Sequence, residues 1–160
     1  MASTIGREEK QVLASYLVRH ALKRSAQREA ILDAFLRAGR HVSVEELLAI
    51  VRKKRADIGR TTIYRSLKLF KDAGLASELT YGGEARFETL WNRDHHDHFI
   101  CGSCGEIFEF RSPEIERIQE TIARGIGFQI EAHRHHILGQ CRKCVAKSSS
   151  SSRSGSSRRG

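Results

Sequence analysis

The chain has 160 residues, 39% of them hydrophobic, enough for one ordinary domain or two small ones and too apolar for a chain disordered throughout. No run approaches the roughly 20 apolar residues of a membrane-spanning helix, and residues 1–24 mix acids and bases without a signal-peptide apolar stretch, so a soluble, cytoplasmic protein with no membrane partner is expected. The net charge of +9 is unevenly held: residues 1–80 carry 16 Lys/Arg against 9 Asp/Glu, residues 81–145 carry 8 against 10 with six of the eight histidines, and residues 146–160 add four bases and no acid. A basic front suits a polyanion such as DNA, and an acidic, His-rich back suits a cation.

In chain order, Val12, Leu13, Tyr16, Leu17 and His20 recur at helical spacing within residues 8–22. A second helix, with Ile31, Leu32, Phe35 and Leu36 inward, should end near Gly39. Ser43 followed by Glu46 is a capping box that opens a third, whose apolar face is Val44, Leu47, Leu48 and Val51. After a turn at Asp57-Ile58-Gly59, residues 60–74 form a fourth helix with Ile63, Leu67 and Phe70 inward, closed by Gly74. The period then changes to that of strands, with ASELTY and EARFE flanking Gly82 as a β-hairpin. Helix, helix, recognition helix and hairpin in that order make a winged helix-turn-helix. Beyond residue 90, strands are expected around HFIC and EIFEF, then a helix opening at Ser112-Pro113 with Ile115, Ile118 and Ile122 as its buried stripe, and a final strand FQIEAHRHHIL. The Ser/Arg/Gly stretch 146–160 should be disordered. The fold class is α+β: a winged-helix DNA-binding domain over 1–83 and a small α/β metal-binding domain over 84–145.

On the fourth helix the inward set leaves Thr61, Tyr64, Arg65 and Lys68 outward. An Arg can grip guanine O6 and N7 together, a Tyr ring can pack on a thymine methyl, and Thr61 and Lys68 suit phosphates. An ordinary solvated helix face would carry a similar set.

All four cysteines lie in two C-x-x-C pairs, Cys101/Cys104 and Cys141/Cys144, separated by 36 residues. In a reducing compartment such pairs suit a closed, tetrahedral structural zinc site rather than disulfides, with a redox dithiol or an iron–sulfur site as the alternatives. Asp94-His95-His96-Asp97-His98 runs directly into Cys101. If extended, it puts His96 and His98 on one face and His95 and Asp97 on the other, which can serve two metal sites back to back. The plainer alternative is a polar loop rich in His. Partners for the run must come from elsewhere, with His41, Glu88, Glu109, Glu116 and His133 as candidates that periodicity does not assign.

His41-Val42-Ser43-Val44-Glu45-Glu46-Leu47, Thr62-Ile63-Tyr64-Arg65, the His95–His98 run leading into C-x-x-C, and the second C-x-x-C resemble, in this order, the ferric uptake regulator (Fur) family over about Leu22 to Cys144. The resemblance implies a winged-helix domain followed by an α/β dimerisation domain. It implies a homodimer that binds double-stranded operator DNA and represses iron uptake genes, not an enzyme. By position, His41, Glu88, His96, His98 and Glu109 match the family's hinge-spanning regulatory metal site. His95, Asp97, Glu116 and His133 match a second site in the dimerisation domain. Tyr64 and Arg65 fall on the family's base-contacting pair and Lys23 on its minor-groove lysine. Glu at 88 and 109, with no extra cysteine, resembles the iron sensors, so Fe(II) is the expected regulatory ion beside a structural Zn(II). Zn(II), Mn(II) or Co(II) suit the same donors. A zinc-, manganese- or peroxide-responsive member is the near alternative. A zinc hydrolase would need an open metal site and a general base, and a metal-storage module leaves the recognition helix unexplained.

Overall fold

The computed structural model describes residues 6–39, 41–81, 83–90 and 95–151; Gly82, at the expected hairpin turn, Asp94 and residues 152–160 lie outside them. The chain forms two compact units that divide after Arg93. In the first, helices α1 (Arg7–Arg19), α2 (Ala26–Ala38), α3 (Val44–Arg52) and α4 (Arg60–Asp72) accompany a three-stranded antiparallel sheet, β1 (Val42–Ser43), β2 (Ala76–Tyr81) and β3 (Glu84–Thr89), in the order β1-β3-β2. A boundary at 83/84 would cut between β2 and β3. The division falls later because β3 is hydrogen-bonded to both β1 and β2 and buries Phe87 with the first unit's core.

Local signals set the helix ends. The Ser25 hydroxyl accepts from the Arg28 N–H at the start of α2, and Gly39, at φ 61°, ends it in the left-handed region open to glycine. At α3 the capping box closes in both directions: the Glu46 N–H donates to Ser43 Oγ at 3.2 Å, and the Ser43 N–H donates to Glu46 Oε2 at 3.0 Å. Ser43→Ala should therefore cost about 1 kcal/mol of stability. Urea unfolding of the full chain would measure it, and an unchanged midpoint would show that the box is dispensable.

Ile31, Leu32, Leu47, Ile58, Ile63, Leu67, Phe70 and Phe87 are fully buried and fix α2, α3 and α4 against the sheet, with Phe35 and Phe70 stacked at 6.2 Å. Ile63, Leu67 and Phe70 point inward as their spacing requires, so the other face of α4 meets solvent.

The second unit holds β4 (Asp97–Cys101), β5 (Ile107–Phe110), α5 (Pro113–Gly125), β6 (His136–Gly139) and α6 (Arg142–Ser151). β4 is central, antiparallel to β5 and parallel to β6. Three expectations change here. The final strand is four residues long, because the chain before it leaves the ladder: the Phe128 N–H donates to Ala123 O at the end of α5, and the His135 N–H to the Asp97 side chain, while the His135 carbonyl accepts the first bond from β4, from the His98 N–H. Ile118 and Ile122 are not buried; they are 59% and 62% exposed, and on α5 only Ala123 is buried. The stripe is apolar, but nothing among the described residues covers it. Residues 146–151, expected to be disordered, continue α6, which starts from the turn in which Cys141 O accepts from the Cys144 and Val145 N–H groups.

Candidate metal centres and nucleic-acid face

Cys101 ends β4, and the chain turns back at once, with the Gly105 N–H donating to Cys101 O and Gly105 at φ 71°. Cys141 precedes α6 and Cys144 lies in its first turn. Parallel pairing of β4 with β6 brings the two knuckles together, and the Cys141 N–H donates to Cys101 Sγ at 3.2 Å. All four sulfurs lie within 4.8 Å of one another, with Cys104 and Cys141 3.8 Å apart, and all four are free thiols. Ligands about 2.3 Å from a tetrahedral zinc stand about 3.8 Å apart, so the sulfurs fit that ion. Backbone N–H groups, first that of Cys141, hold the Cys101 thiol down at about 6, while hydrogen bonding of the Cys144 thiol to Cys104 and Cys141 pushes it up to about 12.

Along residues 95–98, which lead into β4, the side chains alternate. The His95 and Asp97 side chains meet at 3.3 Å (Nε2 to Oδ1), while the His96 and His98 rings pack edge-on at 4.9 Å. Glu116, in the first turn of α5, and His133, in the segment before β6, complete a group around Asp97. Glu116 Oε1 stands 3.5 Å from His95 Nε2 and 3.2 Å from His133 Nε2, and the four donors lie within 4.8 Å of one another. Asp97 is 1% exposed. His133 Nε2 is buried without a hydrogen bond among the described residues, a cost that an ion accepting its lone pair would remove. Two imidazoles and two carboxylates fit a first-row divalent ion.

The remaining donors divide between the units. In the first, His41 precedes β1 and Glu88 lies on β3. The register pairs Val42 with Phe87, so His41 comes opposite Glu88, and His41 Nε2 stands 3.4 Å from Glu88 Oε2 with both side chains buried. In the second, His98 is paired across the ladder with Glu109, and His96 Nε2 is 4.0 Å from Glu109 Oε1.

On α4, Thr61, Tyr64 and Arg65 are exposed. Lys68 is half-buried and engaged: its ammonium donates to Glu78 of β2 at 2.9 Å, Lys71 donates to the same carboxylate at 2.6 Å, and the Lys68 charge lies 5.9 Å from the Tyr64 ring centre. Together they hold the Glu78 carboxyl below its ordinary range. Glu78 was not among the residues expected at this face. Lys23 is exposed, and its carbonyl accepts from Arg28.

A profile of the ferric uptake regulator family matches residues 19–138. The chain belongs to the ferric uptake regulator family. It is 41% identical over 128 residues to the ferric uptake regulation protein of Neisseria meningitidis, covering 79% of this chain and 88% of the relative. It is 32% identical over 142 residues to the peroxide-responsive repressor PerR of Staphylococcus epidermidis, covering 88% and 93%. Among solved structures, the Helicobacter pylori ferric uptake regulator, described as having three functional metal binding sites, matches with a TM-score of 0.81 at 29% identity, covering 89% and 95%. As a Fur-family protein the chain is a metal-responsive transcriptional regulator of α+β fold, with a four-cysteine group suited to structural zinc and His/Glu groups suited to further metal. No helix among the described residues is long and apolar enough to cross a membrane.

Proposed function

We propose that this Fur-family chain is an iron(II)-responsive repressor of iron uptake genes, acting in the cytoplasm as a homodimer on double-stranded operator DNA and catalysing no reaction. In this reading Cys101, Cys104, Cys141 and Cys144 hold a structural zinc. One regulatory ion takes His41 and Glu88 from the first unit and His96, His98 and Glu109 from the second, and another is held by His95, Asp97, Glu116 and His133. The observation that carries the reading is the buried His41–Glu88 pair in the winged-helix unit. It puts metal-type donors into the half that also carries Tyr64 and Arg65. A shared ion would add bonds only when both halves are suitably placed. It would then favour the DNA-competent form by its difference in affinity for the two forms. Glu at both carboxylate positions, as in the iron sensors of the family, supports Fe(II).

The test is operator binding by gel shift against genomic fragments under buffered Fe(II), Mn(II), Zn(II) and Co(II) in turn. Retardation at the lowest free Fe(II), with iron uptake promoters among the retained fragments, is expected. Binding indifferent to every ion would overturn the reading.

On α4, Tyr64 and Arg65 are assigned to bases and Thr61 and Lys68 to phosphates, while Lys23, ahead of α2, is assigned to the minor groove. Arg65→Ala should weaken operator binding by about 1–3 kcal/mol and relax the preference at one base position. Competition with single-base operator variants measures this, and an equal loss on all sequences would make Arg65 a phosphate contact instead.

A further inference from the structure

His135 belongs to none of the donor sets above, yet it touches both oxygens of Asp97. Its backbone N–H donates to Oδ1 at 3.4 Å, and its ring Nδ1 lies 3.4 Å from Oδ2. His95 Nε2 and His133 Nε2 stand 3.3 and 3.8 Å from Oδ1. The carboxylate is thus divided: one oxygen turns toward the donors and the other has beside it the ring of a side chain that lies outside their group. At 1% exposure Asp97 is shut off from bulk water, so the group beside Oδ2 bears directly on which way the carboxylate faces.

We propose that His135 is a positioning residue for the second metal site, fixing Asp97 so that it offers Oδ1 only. The inference rests on the assignment of that site to His95, Asp97, Glu116 and His133. A one-oxygen Asp97 keeps the site to four protein donors, a number that suits a small transition ion. A carboxylate free to chelate through both oxygens would favour the larger shells of Ca(II). The adjacent His136 does not share this role: it begins β6 in register with His98, and its ring lies 5.7 Å from that of His98.

The test titrates Co(II) into the zinc-loaded full-length chain carrying His96→Ala, which removes the regulatory site and leaves the second one to be read. Adding His135→Leu, which keeps bulk but removes the ring nitrogen, should weaken Co(II) binding about 10–100-fold, as loss of an outer-shell partner does. The visible Co(II) bands should also lose intensity as Asp97 turns to offer both oxygens. His135→Asn, whose amide N–H stands near the Nδ1 position, should restore both affinity and spectrum. Equal affinity in the Leu variant, or an Asn variant as weak as the Leu variant, would overturn the positioning role. Asp97→Ala is the control: if Co(II) binding survives it, the site assignment itself fails and the proposal falls with it.

Discussion

Cys101→Ser should abolish zinc binding and unfold the second unit at temperatures at which the parent chain is folded. Among the described residues of that unit the buried hydrophobic side chains are only Ile100, Cys101 and Ala123, whereas the first unit buries a continuous cluster from Leu13 to Phe87. A core so small cannot offset the entropy of ordering three strands and two helices. A structural zinc contributes about 10–16 kcal/mol in small zinc domains, as much as the whole stability of an ordinary protein. Cys101 is the most consequential of the four ligands because it is also the end of the central strand and accepts the Cys141 N–H that joins the two knuckles. Zinc content per chain and thermal unfolding would measure the outcome. A zinc-free variant with the parent's unfolding temperature would show that the sulfurs have no structural role.

His96→Ala should leave zinc content and folding intact and remove the metal dependence of operator binding. The residue precedes β4, outside the first unit's core and outside the four-sulfur group, so its loss removes no structural ligand. What it removes is one of the two imidazoles that pack edge-on beside Glu109. With that donor gone, metal-saturated protein should bind its operator no better than metal-free protein, a fall of about 5–150-fold, the ordinary span of a coupling between two sites. Gel shifts with and without buffered Fe(II) would read it, beside a zinc assay to show that the fold is kept. An unchanged metal response would move the regulatory site elsewhere.

What could be read from the sequence was what depends on neighbours in the chain. Ser43 and Glu46 cap α3 through bonds that span three residues, and Gly39 and Gly74 stand where α2 and α4 must end, each with positive φ. The inward face of α4 followed from its period because one cluster covers all of it. The same reasoning misplaced Ile118 and Ile122, since a period shows which side of a helix is apolar and not what lies against it. Residues 128–135 have the alternation of a strand, but Asp97 draws His133 and His135 aside and shortens β6. The alternation along β4 separated the His pairs, whereas Glu116 and His133 reach Asp97 only through the packing of α5 and the segment before β6. His135 stands two residues from His133, and that repeat was the one signal of its place.

Glu78 gives α4, the helix proposed to face DNA, a different physical character from the one that net charge suggests. Lys68 and Lys71 of α4 share one carboxylate on β2, so the three groups together present a single positive charge to a phosphate. Each phosphate contact normally expels condensed counterions, which is why nucleic-acid affinity falls as salt rises. A face with part of its positive charge already offset expels fewer. In the proposed reading its sequence-independent grip on any duplex is weakened to that extent, and discrimination falls to Tyr64 and Arg65, the residues assigned to bases.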